Sequence, residues 1–181
     1  AHDDDEDDEQ VIMAEGGQLA VFQFAEGGGA AGHPHHQEVA DHIGGHVVHH
    51  QGKEGLVGAE LCLEEGAMLY ASTNYSDYAY MPGWNRGAFI SAVGATNVAI
   101  TGKGVIECSG DRMPHVEKTD GRWRGIHFTG CRNVRLEDFT LRSAHSWGCY
   151  LQECDGVEIR RIVIFNHANY NNDGLDIASK N

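Results

Sequence analysis

The chain has 181 residues, 41% of them apolar, which is enough to bury a single core. Its formal net charge of −14 is confined to one end: residues 1–65 hold 15 of the 27 acidic side chains and one base, Lys53, whereas residues 66–181 hold 12 of each sign. Such acidity excludes the basic face that phosphate binding requires, and no apolar run approaches the ~18 residues of a membrane span, so neither nucleic acid nor a membrane is expected as partner.

In chain order, residues 1–57 read as an atypical acidic, His-rich and Gly-rich segment, expected to be disordered or misassigned. The run Asp3-Asp4-Asp5-Glu6-Asp7-Asp8-Glu9 has the composition of a solvated tail. Val11-Ile12-Met13 and Leu19-Ala20-Val21-Phe22 are its only moderately apolar stretches, and no strand is expected over residues 30–57. His42 and His46 are four apart, with His33, His35, His36, His49 and His50 nearby, but Gly44-Gly45 weakens the helix that would align them on a metal. Nonspecific affinity, or no role, is the favoured reading, and no metal site is expected. The chain opens on Ala-His-Asp, with no basic-then-apolar signal peptide.

From residue 58 the texture changes to short β-rich runs that recur. Asn97-Val98-Ala99-Ile100, Asn133-Val134-Arg135-Leu136 and Gly156-Val157-Glu158-Ile159 align, with Val134 to Val157 spaced by 23 residues and Val98 to Val134 by 36. Each run is followed by a second apolar pair: Val105-Ile106, Phe139 with Leu141, and Ile162 with Ile164. Each is preceded by another strand: Phe89-Ile90-Ser91-Ala92, Ile126-His127-Phe128, and Cys149-Tyr150-Leu151. Leu61-Cys62-Leu63 with Met68-Leu69 is a looser first copy. A repeat of this length, made of short strands and polar turns, predicts an all-β fold, a parallel β-helix whose stacked coils share one core. Asn97, Asn133 and Gly156 are expected at a left-handed turn position, where stacked Asn side chains form a hydrogen-bonded ladder. Asn181 falls at the same position of the next coil, so the solenoid is expected to be incomplete at its C-terminal end, with exposed strand edges and self-association if made alone.

The five cysteines, Cys62, Cys108, Cys131, Cys149 and Cys154, form no CxxC pair and read as free core thiols, a Cys149–Cys154 bridge being the alternative in an oxidising compartment. The long coil between Val98 and Val134 carries an insertion, Ser109 to Arg124, and insertions in a solenoid gather on one face and wall a cleft. The outer loops of the next coils hold His145-Ser146-Trp147, then His167-Ala168-Asn169-Tyr170 leading into Asn171-Asn172-Asp173-Gly174-Leu175-Asp176. Imidazole, aromatic and amide groups recurring once per coil suit a sugar chain lying along the axis. The terminal hexapeptide places two carboxylates three residues apart in an Asn/Gly-rich turn.

That hexapeptide resembles the Asn-Thr-Asp-Gly-Ile-Asp motif of glycoside hydrolase family 28, the polygalacturonases and their relatives. Gly66 to Leu69, Ala71 to Thr73, Asn97 to Ile106, Cys131 to Val134 and Ser146-Trp147 are similar to other segments of that family. The resemblance implies a right-handed parallel β-helix of the pectin-lyase type, inverting hydrolysis of α-glycosidic bonds in pectin, no cofactor, and a secreted or periplasmic, monomeric complete protein. It makes Asp173 a carboxylate that activates the attacking water, with Asp176 holding the sugar and Asn171 orienting the site. The family's Asp-Asp, Gly-His-Gly and Arg-x-Lys motifs have no counterpart in this chain, so no general acid is identified and the chain alone is expected to be inactive. A non-catalytic carbohydrate-binding β-helix or decayed enzyme is the alternative. A polysaccharide lyase of the same fold, with an Arg or Lys base and commonly calcium, is disfavoured by the Asn171–Asp176 motif.

Overall fold

The computed structural model describes residues 11–14, 18–21, 45–52, 55–71, 73, 87–113 and 122–179, with side chains described from residue 58 onward. Every regular element among them is a strand. In chain order these are β1 (Val11–Ala14), β2 (Gln18–Val21), β3 (Gly45–Gly52), β4 (Gly55–Leu63), β5 (Met68–Tyr70), β6 (Ala88–Val93), β7 (Thr96–Thr101) and β8 (Val105–Glu107). They continue as β9 (Arg124–Thr129), β10 (Arg132–Glu137), β11 (Thr140–Arg142), β12 (Cys149–Gln152), β13 (Asp155–Arg160), β14 (Val163–Phe165) and β15 (Leu175–Ala178).

β1 and β2 pair antiparallel in a two-stranded sheet, and β3 to β15 stack into three sheets ordered β13-β10-β7-β4-β3, β14-β11-β8-β5 and β15-β12-β9-β6. All pairings within them are parallel except β3 with β4, the pattern of a right-handed parallel β-helix. The repeat alignment is the observed register: Val134 faces Val98 on one side and Val157 on the other, and Leu141 faces Ile106 and Ile164. Alternation then aims one side of each strand at a common core. Ile90, Ile126, Phe128 and Leu151 come from one sheet, Leu61, Ile100, Val134 and Leu136 from the second, and Leu69, Ile106 and Leu141 from the third, all buried. Each such side chain contributes roughly 1.5–3 kcal/mol by leaving water.

The turns follow from backbone chemistry. Asn97, Asn133 and Gly156 adopt φ of 57°, 52° and 65°, the left-handed region that Asn and Gly tolerate. Asn133 Nδ2 donates to Asn97 Oδ1 at 3.0 Å, forming the expected ladder. At the next rung a Cβ on Gly156 would approach Asn133 Oδ1 to 3.0 Å, so the amide of Asn133 and a side chain at 156 compete for one space.

One expectation is corrected by β3, which occupies residues 45–52 where no strand is expected. Val47-Val48 supply β-branched residues, and the antiparallel ladder to β4 supplies hydrogen bonds that a reading of local pattern does not count. The cysteines follow the favoured reading as free thiols. Cys154 stands one position before Asp155, the register partner of Arg132. Its coil neighbour is therefore Cys131 rather than Cys149.

Candidate active site

The outward side of the β6-β9-β12-β15 sheet carries one column of polar side chains. By register Ser91 neighbours His127, His127 neighbours Tyr150, and Tyr150 neighbours Asp176. The hexapeptide is thus split: Asn171 to Gly174 belong to the loop entering β15, whereas Leu175 and Asp176 lie on the strand itself. Alternation alone turns Asp176 outward, because Leu175 and Ile177 continue the inward columns of Cys149 and Leu151.

Asp173 is exposed at the end of that loop. Its carbonyl accepts from the Gly148 amide at 2.8 Å, and the Cys149 amide donates to the Gly174 carbonyl at 3.0 Å. Asn171, also exposed, adopts φ 54° and turns the chain just before it. Asp176 is partly buried, and its Oδ2 has no hydrogen-bond partner among the described residues. Burial, reinforced by the Asp173 charge and opposed by Arg124, raises the Asp176 carboxyl above the usual carboxylate range.

Around these carboxylates lies a cluster that sequence reading did not assign to the site. The buried Arg124 guanidinium stands 4.6 Å from the Trp147 ring and 4.8 Å from the Tyr150 ring. The two rings are 5.2 Å apart, and His127 stacks 4.9 Å from Tyr150. Arg124 Nη1 donates to His127 Nδ1 at 3.1 Å, which leaves Nε2 to carry the proton toward Thr129 Oγ1 at 3.0 Å. Burial, reinforced by the Arg124 charge, holds the His127 imidazole down at about 3, so it is neutral at any working pH. Strand alternation could have found His127 and Tyr150, each the polar middle of an apolar pair. Arg124 breaks that alternation, standing in register with Ala88, and only structure reveals its position.

The expected loop residues fall in different places. His145 and Ser146 are buried rather than solvated, and Ser146 Oγ and Trp147 Nε1 have no hydrogen-bond partner among the described residues. His167 lies at the surface, its ring centroid 4.3 Å from that of Phe165 in an edge-to-face arrangement. Of the insertion, Ser109 to Met113 and Arg122 to Arg124 are described, and Pro114 to Gly121 lie outside the described residues. His33, His35, His36 and His42 also lie outside them, as do the side chains of His46, His49 and His50 on β3. The turn position expected of Asn181 falls outside them as well. Among the described residues no group of three or more His, Cys, Asp or Glu could hold a metal ion, and no helix is long and apolar enough to cross a membrane.

Residues 54–181 match the model of glycosyl hydrolases family 28. The chain belongs to that family. Its fold is similar to that of a Parabacteroides merdae protein with the working description glycosyl hydrolase, at 20% identity and a TM-score of 0.53, covering 79% of this chain and 71% of that one. It is also similar to the polygalacturonase of Erwinia carotovora ssp. carotovora, at 24% identity and a TM-score of 0.56, covering 67% of this chain. The chain spans 39% of that polygalacturonase's length. No curated protein matches it. Within the matched region the Asn171–Gly174 loop leads into β15, whose Asp176 continues the outward column of the β6-β9-β12-β15 sheet.

Proposed function

We propose that this chain carries the water-activating side of a family 28 hydrolase site, which cleaves α-glycosidic bonds of a pectic polysaccharide with inversion. The observation that supports the reading most is the placement of the two carboxylates. Asp173 is exposed beside a strand whose outward column includes a partly buried Asp176 with one oxygen lacking a partner among the described residues. In this reading Asp173 takes the proton of the attacking water, Asp176 accepts hydrogen bonds from sugar hydroxyls, and Asn171 orients the loop. Inversion needs the base and the acid on opposite sides of the ring. No partner acid for Asp173 is identified among the described residues, so turnover of native polymer by residues 1–181 is expected to stay near background. Residues 58–181 are the coil-bearing unit in this reading, and a secreted or periplasmic setting accompanies the substrate.

A substrate whose leaving group needs no protonation isolates the water-activating half. With 2,4-dinitrophenyl α-D-galacturonide, the chain is expected to release dinitrophenol and a saturated sugar that first appears as the β-anomer. Asp173→Asn is expected to lower that rate by roughly 100-fold or more, the usual contribution of a general base. Turnover unchanged in Asp173→Asn, an unsaturated product, or oligogalacturonate binding without any turnover would contradict the reading, the last in favour of a non-catalytic binding protein.

A further inference from the structure

The loop that presents Asp173 is fixed by side chains outside the carboxylate pair. Asn172 Nδ2 donates to the Ala144 carbonyl at 2.7 Å, on the preceding coil, and to Asn166 Oδ1 at 3.2 Å. Asn166 Nδ2 in turn reaches the carbonyls of Ser146 at 2.9 Å, Asp173 at 3.2 Å and Asn172 at 3.3 Å. The two amides thus tie both ends of the loop to each other and to the coil above. A second tie comes from the end of the insertion. Arg122, buried at 0% exposure, donates Nη1 to the Tyr170 carbonyl and stacks its guanidinium 4.0 Å from the Tyr170 ring.

We propose that Asn166, Asn172 and Arg122 are positioning residues for Asp173, holding its carboxylate in line with the attacking water. The inference rests on the role given to Asp173 above. The physical reason is the backbone it constrains. Asn171 takes a left-handed turn at φ 54°, a conformation Asn tolerates, so the path of the loop beyond it is set by what its neighbours bond to. Asn171 and Asn172 separate Tyr170 from Asp173, whose carbonyl takes the first backbone bond to the preceding coil, from the Gly148 amide. The two amides and the arginine fix the loop on the side of the insertion. Displacing a reacting group by about 1 Å costs on the order of 100-fold in rate.

The test pairs kinetics with backbone hydrogen exchange on the full chain. Asn172→Leu keeps the side chain's shape and removes its donors, and Arg122→Met keeps the length and removes the charge. Each is expected to lower kcat on dinitrophenyl galacturonide by roughly 10- to 100-fold, with KM within about twofold because ground-state binding by Asp176 is untouched. Amides of residues 167–174 should exchange faster, and those of 149–165 at the wild-type rate. Arg122→Lys should recover part of the loss, since a cation still covers the Tyr170 ring. If Asn172→Leu loses protection throughout the chain, Asn166→Ser, a milder change at a partly exposed site, is read by the same two assays. Unchanged exchange at 167–174, or a raised KM at preserved kcat, would overturn the proposal. Should wild type itself show no turnover, the hydrolase reading fails, and the exchange measurement alone still decides whether these residues fix the loop.

Discussion

Two outer faces of the same coils treat charge in opposite ways. On the β13-β10-β7-β4 sheet, outward charges answer one another. Arg135 pairs with Glu60 at 2.9 Å and Glu137 at 3.1 Å, and Thr101 Oγ1 donates to Glu60 at 2.6 Å. At the following turn Arg161 pairs with Asp138 at 2.6 Å and also with Glu137. On the β6-β9-β12-β15 sheet the charges are not neutralised in this manner. Arg124 is held by two aromatic rings, His127 is kept neutral, Asp176 keeps one oxygen without a partner among the described residues, and Asp173 faces solvent. A polar face satisfied within itself holds coils in register. A polar face with buried groups left unanswered is where a ligand completes the hydrogen bonding.

The largest effect that sharpens this contrast is a pH dependence. Burial and the Arg124 charge hold folded His127 down at about 3, against an ordinary imidazole value of 6.5. The unfolded chain therefore takes up the proton first, so the stability tied to neutral His127 is complete above pH 6.5 and falls as pH drops toward 3. Between pH 6.5 and 4.5 that loss is about 3 kcal/mol at most. Urea unfolding of wild type and His127→Gln across this range should show the gap between them closing toward acid. A constant gap would remove the cleft's claim to a buried neutral imidazole.

A smaller effect belongs to the other face. Asn133→Ala should cost about 1–2 kcal/mol, combining the lost ladder bond with the strain of a left-handed alanine. Asn133→Gly should cost clearly less, because only the bond is lost, and thermal melts of the pair separate the two contributions. Smaller still, Arg135→Ala should change stability by no more than about 1 kcal/mol, less in high salt. The same variant should leave dinitrophenyl galacturonide turnover at the wild-type rate, and a loss of activity there would erase the distinction between the faces.

Most of the fold was legible in the sequence because each coil repeats the same physical problem. Val98, Val134 and Val157 must all turn inward, and Asn97, Asn133 and Gly156 must all turn a left-handed corner, so spacing alone yields the register. Asp173 was legible as part of a local motif. Arg122, Asn166 and Asn172 were not, because each has a partner on another coil, 20 to 48 residues away for the bonds to Ser146, Ala144 and Tyr170, and Arg124 was not, because the rings that hold it belong to the next coil. β3 escaped for a related reason: its ladder is supplied by β4, and histidines interrupt its apolar pattern.

The division between the two faces is tested most directly by hydrogen exchange with and without saturating oligogalacturonate. The account predicts added protection in residues 122–129, 145–152 and 170–178, with none in 96–101, 132–137 or 155–160. Protection on the ladder face, or no change on the cleft face at saturation, would contradict it.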